Sequence, residues 1–518
     1  MVEDTLPQID IVTAIQQVTP GEMVQERGEG APGEARAVVD NYDQAFDRLT
    51  MEILTMLESS KVLVVWCFDQ SGSMKDDQKI IRDRIDKVYS ELGIKEIASG
   101  GSLTTGVTSF GKKFVVHLDK PTENLEQIKK AIDAVPTDAS GEEITSSALA
   151  LSINRYSEYA RRSRRRMALI LVSDESGNRA DHDVHLQDTI SLARDSRCHI
   201  YILGREAVFG YPYAHISWEH PQTFVIHYLP VDRGPESGFV EQLQTEGFHR
   251  RLDSHPSGFG PYEQSRMARE TGGIFFMLPS VELDVVGLDE RRYRLDSMRP
   301  YRPDLKVRQV LFDEITKTTM RSGLTKIIYE MNPYNPEAAK IIDMRTTFSI
   351  NPREFIQQVK FEQAKALVYM GYLDRMRTAL EGIWHERDQE VAPRWQANAD
   401  LMRAQLLCYK IRLYEYGAYL NEFVKKPKIA SARKEPNLHF IHWSLGRRQK
   451  MITGEVTREY VAQAKGLFAD VVANHPDSPW AARAEKEMSS GFGVELQPYY
   501  RRRPTGGGNQ PLISVPKL

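Results

Sequence analysis

One hydrophobic segment of the chain ends abruptly in a cluster of oxygen-bearing side chains. Residues 62–68 read Val-Leu-Val-Val-Trp-Cys-Phe, a run without polar alternation that is typical of a parallel strand buried on both faces. Asp69, Ser71 and Ser73 follow it at positions i, i+2 and i+4. Ligands of α/β sheets bind outside the carboxyl ends of parallel strands, and Mg²⁺ takes a few protein oxygen atoms while it keeps several waters. The segment therefore predicts a metal site at the edge of a doubly wound, mostly parallel α/β sheet.

The Asp-x-Ser-x-Ser sequence after a hydrophobic strand resembles the metal-ion-dependent adhesion site (MIDAS) of von Willebrand factor type A (vWA) domains. Asp174, after another apolar strand, is similar to the distal aspartate of that site. The resemblance covers about residues 58–285 and implies a vWA/Rossmann-like sheet with helices at about 76–92, 123–134 and 143–160. The other segments that resemble strands of the family, the second of them short and antiparallel, are 103–110, 113–118, 167–173, 199–203 and 272–277.

One loop departs from the family pattern. The family takes a metal-site threonine from a Gly-Gly-Thr-x-Thr loop, whereas residues 140–149 read Ser-Gly-Glu-Glu-Ile-Thr-Ser-Ser-Ala-Leu. Aligning Thr145 with the second threonine leaves Glu143 at the position of the metal-site threonine. Either Glu143 is itself a ligand, which gives three carboxylates around one ion, or Thr145 or Ser146 takes the role. A third carboxylate would bind the ion more tightly and neutralise more of its charge.

The resemblance implies a metal-ion-dependent protein-interaction module of a bacterial type, with Mg²⁺, or Mn²⁺ or Ca²⁺, held by Asp69, Ser71, Ser73, Glu143 or Thr145, and Asp174. One alternative is a structural scaffold with a vestigial metal site, in which Ser71 and Ser73 only cap the next helix. A less favoured one is an Mg²⁺-dependent phosphohydrolase, whose general acid would stand where Ser71 is. No nucleotide-binding loop and no Gly-x-Ser-x-Gly elbow occur, so neither catalytic residues nor an organic cofactor are predicted.

Composition sets limits on partners and location. The 518 residues are 41% hydrophobic and 27% charged with a formal net charge of −3, which describes an ordinary globular protein with no global field for nucleic acid. Three widely spaced cysteines predict buried thiols rather than a disulfide framework. No run approaches the ~20 apolar residues of a membrane span, and no secretory signal opens the chain. We expect a cytoplasmic protein as written, or an extracytoplasmic one if the chain is an N-terminally truncated fragment.

Changes in pattern along the chain divide it into five parts. An N-terminal linker and packing helix (1–57, with the helix at about 34–60) precedes the vWA domain (58–286). That domain carries an insertion at 205–261, rich in aromatic residues and histidines, which is predicted either to flank the ion and help choose a partner or to pack on the helical part and serve stability. The histidine spacings fit no compact zinc pattern.

The C-terminal half is predicted to be all-α. Long helical patterns occupy a helical domain (287–430), and two helices around a Pro-bearing turn in 431–490 are similar to a single tetratricopeptide-type (TPR-like) hairpin. Residues 491–518, which contain a Gly/Pro-rich segment, are predicted to be a disordered tail. Such helical surfaces usually bind proteins or peptides, although a lid that only packs on the vWA domain is the open alternative.

Overall fold

The computed structural model describes residues 37–91, 101–279, 285–430, 438–502 and 513–517. They form two compact units, of which the first comprises the described residues of Met1–Arg205 and Glu263–Ser280 and the second those of Glu206–Tyr262 and Val281–Leu518. The strands, numbered in chain order, are β1 Ala37–Val38, β2 Lys61–Asp69, β3 Leu103–Phe110, β4 Phe114–Val116, β5 Arg165–Val172, β6 Cys198–Arg205, β7 Tyr213–Glu219, β8 Ile226–Asp232, β9 Phe275–Leu278, β10 Thr347–Ser349, β11 Leu438–Arg448 and β12 Gly493–Arg502.

The α-helices, also numbered in chain order, alternate with strands in the first unit and dominate the second. They are α1 Tyr42–Ser59, α2 Lys75–Glu91, α3 Leu125–Asp133, α4 Thr145–Arg162, α5 Arg179–Asp195, α6 Tyr262–Thr271, α7 Leu295–Met298, α8 Arg308–Lys317, α9 Thr319–Glu330, α10 Pro336–Ile342, α11 Pro352–Gly382, α12 Pro393–Lys425, α13 Arg458–Asn474 and α14 Pro479–Ser490. In the described residues, no helix combines the length and the apolar character that crossing a membrane requires.

The first unit is built on a seven-stranded sheet of order β1-β9-β6-β5-β2-β3-β4. All neighbours are parallel except β4, which pairs antiparallel with β3. β2 lies between β5 and β3, and every residue of it after Lys61 is buried, as a strand covered by helices on both faces requires. The predicted doubly wound, vWA/Rossmann-like sheet is confirmed.

The start of the described chain joins this sheet rather than the helix predicted for residues 34–60. Ala37–Val38 pairs with Phe276 and Met277 of β9, and α1 begins only at Tyr42, after Asn41 accepts a hydrogen bond from the backbone N–H of Gln44 at 3.1 Å. An asparagine in extended conformation is a favoured N-cap, because its side chain satisfies an N–H that the helix leaves unpaired. Residues 34–36 of the predicted helix lie outside the described residues.

The second unit has a helical core into which the predicted insertion packs. Phe209, Leu243 and Phe248 belong to the same buried apolar cluster as residues of α9, α11, α12 and α14, such as Tyr416 and Trp480. Segment 206–262 is therefore part of the second unit, where the sequence analysis placed it as an insertion of the vWA domain. These contacts support the alternative in which the insertion packs on the helical part and serves its stability.

The second unit also contains strands, which corrects two expectations. β10, β11 and β12 form a three-stranded antiparallel sheet, so the region after the vWA domain is not all-α. Residues 493–502, predicted within a disordered tail (491–518), form β12, and Val494 and Leu496 are buried. These two positions alternate along the strand and place an apolar side in the helical core, a period-two pattern too short to stand out from the sequence.

The two helices predicted within residues 431–490 are present as α13 and α14. The turn between them holds Ser478, whose hydroxyl accepts from the backbone N–H of Ala481 at 3.3 Å and caps α14, with Pro479 in the first turn. The likeness of this pair to a TPR hairpin stays a prediction.

Candidate functional site

The sheet brings the two predicted aspartates to the same edge. β2 and β5 are parallel neighbours in which Phe68 pairs with Val172, so Asp69 ends one strand and Asp174 follows the end of the other. Both side chains are buried, with 0% of Asp69 and 3% of Asp174 exposed. Burial of two carboxylates in one small region is costly unless a positive charge or several hydrogen bonds compensate.

Asp69 is held by hydrogen-bond donors that carry no charge. Its Oδ1 accepts from the backbone N–H of Ser71 at 2.7 Å, and its Oδ2 accepts from Ser173 Oγ at 2.8 Å. Burial, and after it the charge of Asp174, raise the pKa of Asp69 to about 7, although the hydrogen bonds from Ser71 and Ser173 act to lower it. The carboxylate is thus fixed in orientation while its negative charge is poorly compensated.

Two cations of the first unit, Arg205 in β6 and Lys75 in α2, are engaged with partners other than Asp69. Arg205 at the end of β6 pairs with Asp77 of α2 at 2.7 Å in a buried salt bridge. Lys75 donates to the backbone carbonyl of Val135 at 2.8 Å and to Gln78 Oε1 at 3.3 Å. No described lysine or arginine bonds to Asp69, so no cation of the described residues neutralises its charge directly.

The two serines after β2 turn towards each other and towards Asp174. Ser71 Oγ lies 3.1 Å from Ser73 Oγ and 3.5 Å from Asp174 Oδ1, the second distance being at the long limit of a hydrogen bond. Ser71 precedes the short 3₁₀ turn Gly72–Met74 and makes no side-chain capping bond to it. Its hydroxyl therefore belongs to the carboxylate cluster, unlike in the scaffold alternative, where it would serve as a cap.

The segment 140–149, which leads into α4 and is called the third loop below, contributes a buried hydroxyl without a partner among the described residues. Thr145 opens α4 and is 0% exposed, and its Oγ1 makes no hydrogen bond to any residue that the structure describes. The neighbouring Ser146 is engaged, because its Oγ lies 2.7 Å from His182 Nδ1, and His182 Nε2 is 2.7 Å from the Ser176 carbonyl oxygen. A buried hydroxyl without a partner costs roughly 1–3 kcal/mol, so Thr145 is the hydroxyl of this loop that gains most from a ligand.

Gly177 brings the loop after β5 against Thr145. Its φ is +96°, in the region that glycine adopts readily, and a Cβ at this position would overlap Thr145 Oγ1 and lie 2.8 Å from Thr145 Cβ. The adjacent Asn178 donates its backbone N–H to the Glu143 carbonyl oxygen at 2.9 Å. The segment that carries Asp174 and the segment that carries Thr145 are therefore in direct contact.

The described residues contain no group of three or more Asp, Glu, His or Cys side chains that could hold a metal ion. Glu143 is 7% exposed, but it does not join Asp69 and Asp174 in such a group, and the insertion histidines form none either. The arrangement that the structure brings together is two carboxylates with hydroxyls. The assignment of these residues as metal ligands stays a prediction.

Two contributors were missed by the sequence analysis. Ser173 donates to Asp69, and His182 fixes Ser146 and the carbonyl of Ser176. A hydroxyl directly before Asp174 at a strand end was a visible signal for the first. For the second there was none, because His182 lies in α5 and reaches the loop only through the packing of α5 on α4.

Comparison with known proteins agrees with the fold. Residues 64–226 match the von Willebrand factor type A domain, and domains of this type commonly mediate protein interactions. No curated protein matches the chain.

Three solved structures resemble parts of the chain. Conserved hypothetical protein BatB from Bacteroides thetaiotaomicron is 13% identical, with 49% of this chain and 98% of that chain covered and a TM-score of 0.25. Proximal thread matrix protein 1 from the mussel byssus is 18% identical, with 29% and 36% covered and a TM-score of 0.20. A mutant of the PilB minor pilin from Streptococcus sanguinis is 12% identical, with 52% and 63% covered and a TM-score of 0.23. These scores are too low to carry an argument about function.

Proposed function

We propose that the first unit binds a divalent cation, Mg²⁺ or alternatively Mn²⁺ or Ca²⁺, and holds a protein partner through it. Asp69, Ser71, Ser73, Thr145 and Asp174 would hold the ion. When bound, such an ion supplies positive charge between the buried carboxylates and an attachment point for an acidic group of a partner. The residues of this chain orient the ligand oxygen atoms, as Ser173 does for Asp69. Arg205 and Lys75 are paired elsewhere and so do not compete with the ion for the carboxylates.

The observation that carries the proposal is the Thr145 hydroxyl, buried at 0% exposure and without a hydrogen-bond partner. It begins the helix that follows the third loop, next to the segment that carries Asp174. Hydroxyl and carboxylate oxygens are the ligand types that hard divalent cations prefer. These hydroxyl and carboxylate oxygens therefore fit Mg²⁺ in chemical type.

Among the three residues considered for the third loop, Thr145 is the one that we assign. Ser146 already bonds to His182 at 2.7 Å, and Glu143 stands outside any group of three carboxylates. With two carboxylates rather than three, a bound divalent ion would keep more of its positive charge. This supports capture of an acidic group of a partner, which a third carboxylate would weaken.

We infer a binding module rather than an enzyme. The phosphohydrolase alternative needs a carboxylate two residues after Asp69, and this position is Ser71, whose hydroxyl lies 3.1 Å from that of Ser73. The scaffold alternative predicts capping by Ser71, which makes no such bond. Neither alternative accounts for the partnerless Thr145 hydroxyl.

The ion is tested by thermal unfolding of the full chain. Addition of MgCl₂ or MnCl₂ should raise the melting temperature of the wild type. At a free ion concentration of a hundred times Kd, the free energy of unfolding should increase by about 2.7 kcal/mol. Asp69→Ala should abolish this rise, while Asp76→Ala, at an exposed position of α2, should keep it. Equal responses of the wild type and Asp69→Ala would contradict the proposal.

The partner is tested by capture from lysate with and without EDTA. We expect one or more proteins to be retained by the wild type in Mg²⁺ and released by EDTA. Asp69→Ala should retain none of them. Retention that is indifferent to both EDTA and the substitution would rule out metal-dependent capture, even if the ion itself binds.

A further inference from the structure

The second unit contains a cleft of about 820 Å³, a size typical of ligand sites. Its floor is one face of the sheet formed by β11 and β12. His442, Ser444 and Gly446 alternate along β11, and Tyr499 and Arg501 alternate along β12, so that all five point to the same face. His442 and Tyr499 are cross-strand partners whose rings stack at 4.6 Å with an interplanar angle of 11°.

One wall of the cleft is the β7–β8 hairpin, and among the described residues β8 pairs with β7 alone, so its other edge is open there. The carbonyl of His215 in β7 accepts from the backbone N–H of Val286 at 2.7 Å and so points away from β8. Its cross-strand partner Pro230 therefore occupies a non-hydrogen-bonded position, where its missing N–H costs nothing. Since the pattern repeats every two residues, the backbone groups of Tyr228 and Ile226 also point outward from the hairpin.

These outward groups have no partner in the described part of the chain. No described residue makes a backbone hydrogen bond to Ile226 or Tyr228 on that side, and both residues line the cleft. The two residues are 41% and 42% exposed and line the cleft, so they offer it apolar contact surface. An open edge of this kind is a template on which another extended segment can pair.

The charged side chains of the cleft leave a positive excess. Arg447 is neutralised by Glu246 at 2.9 Å, whereas Arg250 and Arg501 form no ion pair with the described residues. Asp343 is the remaining acidic side chain of the lining. Two arginines against one aspartate favour an anionic ligand.

We propose that this cleft binds an acidic peptide segment of another protein in extended conformation, paired as an added strand with the open edge of β8. Only a peptide backbone matches the regular spacing of outward N–H and C=O groups along a strand, so the edge favours a peptide over a small anion. Carboxylates of the peptide would pair with Arg250 and Arg501, and its apolar side chains would pack on Ile226, Tyr228 and the half-exposed Tyr334. The proposal is independent of the metal site of the first unit.

The test is fluorescence anisotropy of the full chain with a labelled eight-residue peptide in which Glu alternates with Val, in EDTA. This peptide should bind, and a peptide with Lys in place of Glu should not. Arg250→Glu and Arg501→Glu should each weaken binding by about tenfold, because each turns an attraction into a repulsion. Arg353→Glu is the matched control, since Arg353 is exposed in the same unit but lies outside the cleft lining, and it should bind like the wild type.

The strand pairing is tested on the peptide, so that folding of the protein is not at issue. N-methylation of alternate residues removes backbone donors from one edge of the probe, and one of the two alternating patterns should abolish binding. Equal binding of the Glu and Lys peptides, or indifference to both arginine substitutions, would overturn the proposal. Full competition by inorganic phosphate at constant ionic strength, or indifference to both methylation patterns, would overturn it in favour of a simple anion site.

Discussion

Each unit of the molecule buries a carboxylate, and the two are compensated in opposite ways. In the second unit, Glu487 lies between Arg412 at 2.6 Å and Arg483 at 3.0 Å. Burial alone would raise the pKa of Glu487, but the two guanidinium groups outweigh it and hold the pKa far below its usual range. In the first unit, Asp69 has only hydroxyl and amide donors, and burial with the nearby Asp174 raises its pKa to about 7.

The difference separates a buried charge that the cations of its own chain compensate from one that no described cation compensates. Glu487 is satisfied by its own chain, including Tyr409, whose hydroxyl donates to Oε1 at 3.2 Å. Its arrangement leaves nothing for a ligand to add. Asp69 stands near a second carboxylate and shares a sheet edge with a partnerless hydroxyl, so compensation by an external cation would stabilise the fold. Burial alone therefore does not mark a functional site, whereas burial without compensation does.

The ion-paired carboxylate of this comparison, Glu487, gives the largest expected change in the free energy of unfolding. Glu487→Gln should lower the free energy of unfolding by about 3–5 kcal/mol, because it leaves Arg412 buried without its counter-charge and Arg483 with Asp253 alone. Glu485→Gln, two residues away and exposed, should cost less than ~1 kcal/mol although it breaks an ion pair with Arg291 at 2.8 Å. Chemical denaturation of both variants measures the two values. Similar losses would mean that the buried network has no special weight.

Removal of the charge of Asp69, the uncompensated carboxylate, should change the free energy of unfolding in the opposite direction. In EDTA at pH 8, Asp69→Asn should raise the free energy of unfolding of the first unit by about 1–2 kcal/mol, because it removes one of two buried like charges and keeps an oxygen that accepts a hydrogen bond. Thermal melts with EDTA and with Mg²⁺ check this, with Asp76→Asn as the exposed control. A variant that is less stable than the wild type in EDTA would show that Asp69 is compensated without an ion.

The third loop sharpens the comparison at a single hydroxyl. Thr145→Val should leave stability in EDTA unchanged or up to ~1 kcal/mol higher, since the lost hydroxyl has no partner. It should also weaken Mn²⁺ binding, measured by calorimetric titration. Ser146→Ala should show the reverse pattern, with a loss of about 1 kcal/mol from the broken bond to His182 and unchanged Mn²⁺ affinity.

Glu143→Thr decides the remaining alternative for this loop in the same titration. Unchanged Mn²⁺ affinity in this variant would show that Glu143 is not a ligand. A clear loss, with Thr145→Val behaving like the wild type, would return the role to Glu143 and weaken the case for capture of an acidic partner group.

A buried histidine provides an intermediate case, in which the effect on stability appears only at acidic pH. His215 is 1% exposed, neither ring nitrogen has a hydrogen-bond partner, and burial together with Arg250 lowers its pKa to about 4. A neutral base of this kind stabilises the fold above its unfolded pKa of about 6.5 and loses that contribution as the pH falls through the folded value. The second unit should therefore lose about 1 kcal/mol or more of stability between pH 6.5 and pH 4 on account of this group.

The contribution of His215 is isolated by substitution. His215→Phe keeps a ring beside Tyr211, whose ring centroid is 6.2 Å away, and should be less sensitive to pH in this window than the wild type. His385→Phe, at an exposed position, should follow the wild type. Parallel pH profiles of the wild type and His215→Phe would show that the histidine does not titrate with unfolding.

The sheet of the first unit was predictable from the sequence because its signals are local. β2 shows an uninterrupted apolar run, and the loop after it contains Asp69, Ser71 and Ser73 in a recognisable pattern. The positions of the other strands then followed from the resemblance to a known family. The helical character of α11 and α12 was likewise predictable from their local patterns.

What the sequence did not reveal depends on contacts between distant residues. The choice between Glu143, Thr145 and Ser146 rests on His182, which lies 36 residues after Ser146. β12 is recognisable as a strand only through its pairing with β11. Nothing in its composition indicates this partner strand, which ends at Arg448, 45 residues before β12 begins at Gly493. The assignment of segment 206–262 to the second unit follows from where Phe209 and Phe248 find apolar neighbours, which no local pattern specifies.

That assignment has a consequence for how the polypeptide matures on the ribosome. Residues 206–262 are synthesised in the middle of the chain, but the helices that bury Phe209, Leu243 and Phe248 emerge only with the C-terminal half. The sheet of the first unit can add its strand β9 before the helices that bury this apolar segment have been synthesised. During that interval the nascent protein exposes apolar side chains, the kind of surface that chaperones bind. For the same reason no single proteolytic cut yields both units intact, since the backbone passes from one to the other three times.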